Sequence, residues 1–212
     1  MNAAEVDALL RKAREGDRAA VGALLEGQRS RLRRMVALRL DRRLRGRIDA
    51  TDVIQEAFLE ASQRFDDYLK QPAMPFYLWL RFITNQRLQL LYREHVQAQR
   101  RDVRREVSLT AGGAPEASSE AIAAQLLGTF TTPSQVAIRA ELKARLRETL
   151  ESMDPADRES IALRHFEHLS NAEVAQVLGL DESAASKRFI RAIKRLRALL
   201  SGISGMQELP WR

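Results

Sequence analysis

Side chains that bind anions are the main chemical resource of this sequence. Among its 212 residues, 35 Lys+Arg exceed 28 Asp+Glu, which gives a formal charge of +7 and a pI near 10.3. The basic residues collect in three stretches, at 29–47, 93–105 and 187–197. One such stretch is usually a solvated helix face, but three stretches separated by acidic sequence favour an extended polyanion as the partner.

Composition argues against several other kinds of site. The absence of cysteine excludes disulfides, thiolate catalysis and Cys-ligated zinc. The three histidines, His95, His165 and His168, do not have the spacing of zinc ligands. The N-terminus has no signal-peptide core, and no apolar run approaches the roughly 20 residues of a membrane span. We therefore expect a cytoplasmic protein with no membrane insertion and no metal or other cofactor.

Aromatic residues are few but concentrated. They make up 6% of the chain, and most lie in one window: Phe58, Phe65, Tyr68, Phe76, Tyr77, Trp79, Phe82 and Tyr92. Planar side chains can stack on exposed bases. Helical periodicity places Trp79 on one face with Phe76, Ile83 and Leu90, so we expect Trp79 to be mostly core.

The elements that must position these side chains are helices. Apolar residues recur at spacings of three and four, and no alternating strand pattern occurs. We predict an all-α protein with two helical domains, at 1–105 and 134–200. A flexible linker at 106–133, rich in Gly, Pro, Ser and Thr, joins them, and residues 201–212 form a tail. Within the linker, the apolar run Ala121 to Leu127 predicts a short helix or a segment that docks on a partner.

The second domain contains the signals of a helix-turn-helix. Asp154-Pro155 starts a helix that is predicted to continue to about Glu167, and a capping box follows at Ser170 and Glu173. Gly179 supplies the turn, and Asp181 caps a last helix that ends near Leu200. Its apolar stripe is Ala185, Phe189, Ile193, Leu196 and Leu200. Its opposite face is Ser183, Lys187, Arg191, Lys194 and Arg195, with Arg188 at the flank. One face packs and the other is cationic, as a helix in the major groove requires.

The run LSNAEVAQVLGLDESAASKRFIRAIKRLRALL resembles region 4 of bacterial sigma-70 family factors, which reads the −35 promoter element. The resemblance implies that the exposed face of the last helix binds DNA. It puts Ala184, Lys187, Arg188 and Arg191 near base edges or phosphates. Lys194 and Arg195 lie farther along the helix and are expected on phosphates.

The first domain is similar to region 2 of the extracytoplasmic-function (ECF) group of sigma factors. The segment IDATDVIQEAFLEASQRFDDY resembles region 2.2, which docks on the clamp helices of the polymerase largest subunit. The implied docking residues are Asp49, Thr51, Asp52, Gln55 and Glu56. The segment FYLWLRFITNQRLQLLYREHVQAQRR resembles regions 2.3 and 2.4, which open the duplex and read the −10 element. The implied DNA-binding residues are Tyr77, Arg81, Asn85, Gln86, Arg87, Tyr92 and Arg93.

Four positions depart from the pattern of that group. Thr51 stands where the group has Glu, Ser62 where it has Trp, Gln86 where it has Asn and Leu90 where it has Asp. The exchange at Thr51 removes a negative charge from the docking face. Phosphorylation of Thr51 by a Ser/Thr kinase would restore that charge. The simpler interpretation is that Thr51 caps a helix.

The resemblance implies a non-enzymatic specificity subunit whose partners are core RNA polymerase and promoter DNA, together with an anti-sigma factor or a kinase. The alternative function is a stand-alone helix-turn-helix repressor, which predicts a dimer and a palindromic site. An enzyme such as a recombinase is a third hypothesis. Its nearest candidate nucleophile is Ser30, but no strand pattern surrounds that residue.

Overall fold

Local capping signals define where many of the helices begin. The computed structural model describes residues 1–40, 49–100, 116–128 and 136–201, and every regular element in these ranges is helical, which confirms the predicted all-α class. The helices are α1 (Ala3–Arg14), α2 (Arg18–Arg39), α3 (Ala50–Gln63), α4 (Phe65–Lys70), α5 (Phe76–Arg100), α6 (Ser119–Gly128), α7 (Val136–Glu151), α8 (Pro155–Ile161), α9 (Asn171–Leu178) and α10 (Glu182–Leu200). Across the described ranges, no helix has both the length and the apolar character that a bilayer span needs.

The chain divides into two compact units. The first consists of Met1–Ala37 and Arg43–Pro115, and the second of Leu38–Arg42 and Glu116–Arg212. Residues 116–128, which lie inside the predicted linker, therefore belong to the second unit. The apolar run Ala121 to Leu127 forms most of α6 there. The remaining linker residues and the tail from residue 202 lie outside the described residues.

The core of the first unit is centred on the packing of α3 against α5. Its fully buried side chains include Leu24, Leu32, Met35, Val53, Ile54, Leu80, Ile83 and Leu88. At the start of the unit, Asn2 and Glu5 form a capping box for α1. This packing fixes the orientation of α3 and α5, which carry the predicted docking and DNA-binding residues of this unit.

The core of the second unit draws on α6, α7, α8 and α10. Its apolar members include Leu38, Ile122, Leu126, Leu146, Leu150, Ile161, Phe166, Leu196 and Leu200. α6 packs on α7, and an ion pair of 2.6 Å joins Glu120 to Lys143 at the edge of that contact. The helix predicted from Asp154 to about Glu167 changes its winding after Ile161. Ala162–Phe166 form a π-helical turn, in which Glu167 N donates to Ala162 O at 2.9 Å.

Two charged side chains of the second unit, Arg39 and Glu167, are fully buried. The guanidinium of Arg39 pairs with the carboxylates of Glu167 and Glu159. Burial alone lowers the pKa of Arg39, but the two carboxylates outweigh it and raise that pKa above its ordinary value. Arg39 belongs to the first basic stretch of the sequence, and the structure makes it an interior cation rather than part of a cationic surface.

Candidate nucleic-acid interface

Two N-caps and one glycine C-cap set the helix boundaries of the helix-turn-helix in the second unit. Ser170 Oγ accepts from Glu173 N at 3.1 Å, and the Glu173 carboxylate accepts from Ser170 N at 2.7 Å. Gly179 ends α9 at φ +64°, in the left-handed region that disfavours a β-carbon. Asp181 caps α10 by accepting from Ala184 N at 2.7 Å. The capping predicted at each of these positions is confirmed.

α10 separates a buried face from a cationic one. The buried side chains are Ala185, Ala192, Leu196 and Leu200, whereas Phe189 and Ile193, which were expected in the stripe, are half-buried. The predicted cationic face is exposed at Ser183, Lys187, Arg191, Lys194 and Arg195, whereas Ala184 and Arg188 are half-buried. Ile190 and Leu199 are exposed apolar residues of the same helix. The cationic face can present several positive charges to a groove and its phosphates.

Two arginines of α10 have acidic neighbours at the start of α8. Arg195 Nη1 donates to Asp157 Oδ2 at 2.8 Å. Arg188 Nη1 lies 3.6 Å from Asp157 Oδ1 and 3.8 Å from Asp154 Oδ1. Sequence reasoning missed Asp157, because a separation of 38 residues between it and Arg195 leaves no local pattern.

The start of α3 corrects one interpretation of Thr51. Asp49 is the capping residue, because its Oδ1 accepts from Thr51 N at 2.9 Å. Thr51 is half-buried and is the second residue of the helix, so the N-cap of α3 is Asp49 and not Thr51. An anion at this position would lie near the partial positive charge of a helix N-terminus.

One face of α3 combines polar groups with an exposed leucine. Asp52, Gln55 and Glu56 are exposed, and Leu59 is 64% exposed. At about 100° per residue these four positions share one side of the helix. The opposite side, which includes Val53, is buried. Leu59 is a further candidate docking residue, and its position one turn after Gln55 and Glu56 in the sequence is the signal that could have found it.

α5 buries several of the residues that were expected to face DNA. Tyr77, Arg81 and Asn85 are only 4%, 7% and 8% exposed. The guanidinium of Arg31 lies over the Tyr77 ring, 3.5 Å from its centroid. These three side chains share the face of α5 that packs inside the first unit. They were expected to be exposed to DNA, and the structure buries them instead.

The other predicted residues of α5 vary in exposure. Arg87 is half-buried and pairs with Glu60 at 2.7 Å, Gln86 and Tyr92 are half-buried, and Arg93 is exposed. Leu90, which was expected on a core face, is 44% exposed. The structure therefore exposes Arg93, leaves Gln86, Arg87 and Tyr92 half-buried, and buries the other predicted residues of α5.

The exposed face of α5 is a stripe that sequence reasoning did not identify. Phe82 is 48% exposed, and at about 100° per residue it lies on the same side as Trp79, Gln86, Leu90 and Arg93. Trp79 is half-buried rather than mostly core. An exposed phenylalanine followed by an amide and a cation is suited to stacking on a base and contacting its backbone.

A small aromatic pocket lies beside Trp79, the first residue of this stripe in the chain. The rings of Tyr68 and Trp79 stack with centroids 4.6 Å apart, and Phe65 and Phe76 pack around them. Burial raises the pKa of Tyr68, whose hydroxyl donates to Met74 O at 3.2 Å. The adjoining cavity of about 240 Å³ is lined by Arg64, Asp67, Tyr68, Gln71, Ala73, Met74 and Trp79. Such a pocket offers a π face and polar groups to a planar heterocycle.

Comparison with known proteins gives a consistent result. A family model described as ECF sigma factor matches residues 3–201. The RNA polymerase sigma factor CnrH of Cupriavidus metallidurans is 34% identical over 157 residues, which are 74% of this chain and 75% of that protein. The RNA polymerase sigma factor NccH of Alcaligenes xylosoxydans xylosoxydans is 30% identical over 198 residues, which are 92% of this chain and 94% of that protein.

A solved structure has a related fold. The structure of CnrH in complex with the cytosolic domain of CnrY is 26% identical and covers 94% of this chain and 99% of that chain, with a TM-score of 0.55. In the part of this chain that the structure describes, no group of three or more His, Asp or Glu side chains could hold a metal ion.

Proposed function

The chain belongs to the ECF sigma factors and has the function of a sigma factor in transcription initiation, and on that premise we propose how its surfaces bind core RNA polymerase and promoter DNA. The family match over residues 3–201 carries the proposal, because it includes the helices of both units. A stand-alone repressor is not supported, since the relatives matched over most of their length are polymerase sigma factors. In this proposal the chain selects and opens promoters in the cytoplasm and performs no catalysis itself.

Core polymerase binds the exposed face of α3 in this proposal. Asp52, Gln55 and Glu56 offer polar and negative groups to a basic partner, and Leu59 supplies an apolar contact at the same face. Interfaces typically combine a few buried apolar anchors with a polar surround. The apolar side of α3 is already used by the core of the first unit and is not available for docking.

Phosphorylation of Thr51 is proposed as a second input to that face. A Ser/Thr kinase would transfer the γ-phosphoryl group of ATP to Thr51 Oγ1, with loss of the hydroxyl proton and release of ADP. The product adds about −1.5 to −2 charges at the N-terminus of α3, where the helix dipole favours an anion. Asp49 and Asp52 flank the site, so their carboxylates repel the added phosphate charge. The modification therefore adds to a negative charge that this end of α3 already carries. Equal affinity of Thr51→Ala and Thr51→Glu for core polymerase contradicts this input.

Unpaired −10 bases are proposed to bind the stripe of α5. The pocket beside Tyr68 and Trp79 receives a flipped base, Phe82 stacks on a neighbouring base, and Arg93 contacts the backbone. Buried Tyr77, Arg81 and Asn85 support the helix from inside and reach DNA only if α5 changes its packing.

The −35 duplex is proposed to bind the exposed face of α10. Ser183, Ala184 and Lys187 lie in the first turns, where a recognition helix meets base edges, while Arg191 and Lys194 lie closer to phosphates. The exposed cations of α10 lie on the side away from buried Ala185, Ala192 and Leu196, and this placement supports the orientation.

An anti-sigma factor is proposed as a regulatory partner. Its support is the family itself and the relative CnrH, whose solved structure includes the cytosolic domain of CnrY.

The central experiment mixes the full chain with core polymerase and follows co-elution and promoter-dependent transcription. We expect a stable complex and transcripts from promoters that core polymerase alone does not use. Leu59→Asp should reduce co-elution with core polymerase. The matched control is Leu199→Asp, because Leu199 is also an exposed leucine and lies on α10. A chain that footprints duplex DNA but never binds core polymerase overturns the proposal.

A further inference from the structure

The cations on α10 fall into two groups that the sequence does not distinguish. Arg188 and Arg195 have the carboxylate of Asp157 as a neighbour. Lys187, Arg191 and Lys194 are exposed, and no ion pair involves them in the part of the chain that the structure describes. Residues of equal charge on one helix therefore differ in how much of that charge is available to a ligand.

Asp157 is placed to hold two arginines at once. It is the third residue of α8, and its side chain is only 9% exposed. Its Oδ2 accepts from Arg195 at 2.8 Å, and its Oδ1 lies 3.6 Å from Arg188 Nη1. Arg188 and Arg195 are seven residues apart, which is about two turns on the same side of a helix. One buried carboxylate thus neutralises part of the field of both.

A DNA phosphate and this carboxylate compete for the same groups. Both present oxygen acceptors with the geometry that a guanidinium prefers. The charge of an arginine already paired with a carboxylate is partly neutralised, so that arginine contributes less to duplex binding, although the side chain of Arg195 is 65% exposed. If the guanidinium moved away to a phosphate, the negative charge of Asp157 would be left buried without its partner, which is unfavourable. Lys187, Arg191 and Lys194 make no ion pair with the residues that the structure describes, and they have no such cost.

We propose that Asp157 holds Arg188 and Arg195 back from DNA phosphates and thereby limits the sequence-independent attraction of α10 to duplex DNA. The proposal rests on the proposed binding of duplex DNA by α10. Phosphate contacts carry no sequence information, whereas contacts with base edges do. Asp157 is then a specificity-determining residue that never touches DNA, and its removal strengthens binding to any sequence.

The test measures binding of the full chain to a fluorescein-labelled duplex of arbitrary sequence by anisotropy over a range of salt concentrations. Asp157→Asn should bind about three- to tenfold more tightly at low salt, with a log–log salt slope steeper by about 1. Glu148→Gln is the matched control, because it removes the same charge at an exposed position of α7. Its affinity should stay within about twofold of the wild type. A merely structural role of Asp157 predicts the opposite sign, since a loosened α10 binds more weakly.

A second pair of variants keeps the test independent of how well Asp157→Asn folds. Lys194→Gln should weaken duplex binding and reduce the salt slope by about 1, whereas Arg195→Gln should leave the slope nearly unchanged. Equal losses in these two variants overturn the inference, as does unchanged or weaker binding by a helical Asp157→Asn protein. Absence of duplex binding in every variant contradicts both the inference and the DNA-binding part of the proposed function. If duplex binding responds as expected but the chain does not bind core polymerase, the proposed function is contradicted and the inference about Asp157 is not.

Discussion

The two long helices α5 and α10 offer different chemistry to solvent. α10 exposes cations above a row of small and aliphatic buried side chains. The exposed stripe of α5 instead contains Phe82, Gln86 and Leu90, with the cation Arg93 at its end. A cationic face suits the phosphates of a duplex, and an aromatic and amide face suits unpaired bases. The contrast teaches that net positive charge alone is a poor guide to which surface binds which form of DNA.

The interiors of the two units differ as well. The second unit buries the ion pair of Arg39 and Glu167 completely. In the described residues of the first unit, the pair of Arg87 and Glu60 retains partial exposure of both side chains. A fully buried pair stabilises little by itself, but loss of one partner is costly. Loss of one partner of the buried pair in the second unit should therefore cost more stability than loss of one partner of the Arg87–Glu60 pair.

The largest expected effect follows from that sensitivity. Arg39→Ala leaves Glu167 buried without its main cation and should lower the free energy of unfolding by about 3–5 kcal/mol. Urea unfolding followed by circular dichroism measures the loss. Arg33→Ala, at an exposed position of the same helix, is the control and should change stability by less than about 0.5 kcal/mol. Similar losses in both variants would remove the distinction between interior and surface charge.

The next effect sharpens the comparison of α5 with α10. Phe82→Ala removes the exposed ring without disturbing the core and should reduce open-complex formation about tenfold, since stacking on a base contributes about 1–3 kcal/mol. Permanganate reactivity of unpaired thymines, at a promoter that the wild-type holoenzyme opens, reports the change. Leu199→Ala, at a comparably exposed leucine on α10, should leave opening intact. A defect shared by both variants assigns no special role to the stripe of α5.

A smaller effect compares the same substitution, glycine to alanine, in the two units, where it should change stability in opposite directions. Gly179→Ala forces a β-carbon into a left-handed conformation at φ +64° and should destabilise the second unit by about 1 kcal/mol. Gly22→Ala lies in α2 with open space around the added carbon, and should stabilise the protein by about 0.5–1 kcal/mol. Urea midpoints of the two variants give the signs directly. A neutral or stabilising effect of Gly179→Ala would contradict the capping role assigned to Gly179.

The smallest effect is a pH dependence of the second unit. Burial, and then the nearby charge of His168, lower the pKa of His165 below its ordinary value. The unfolded chain therefore takes up this proton more readily than the folded one, and stability should fall as pH drops below about 6.5. The measurement is the urea midpoint between about pH 7.5 and 5.5. His165→Gln should flatten that dependence, and an identical slope in the variant excludes His165 as its source.

The parts of the molecule that could be predicted are those encoded by neighbouring residues. Ser170 with Glu173, Gly179 and Asp181 lie within a dozen positions, and each acts on backbone close to it. The faces of α10 also follow from periodicity, because only one side of that helix packs. These two facts made the helix-turn-helix predictable in some detail.

Other features depend on contacts that periodicity does not encode. α5 is buried on the side of Tyr77 and also on the side of Ile83, so its pattern shows which residues share a face but not which face remains exposed. The partners Arg39 and Glu167 are 128 residues apart. Phe82 and Asp157 became candidates only when the fold was known.

The separation of faces on α10 has a consequence for how binding preference can change. Ser183, Lys187 and Arg191 are exposed, so exchanging them leaves the packing of Ala185, Ala192 and Leu196 untouched. Surface substitutions of this kind usually alter stability by less than about 0.5 kcal/mol. Sequence preference at these positions is then free to diversify without a compensating change in the core. The DNA-facing residues of α10 can therefore vary while its packed face stays the same. Libraries randomised at these three positions should remain largely folded.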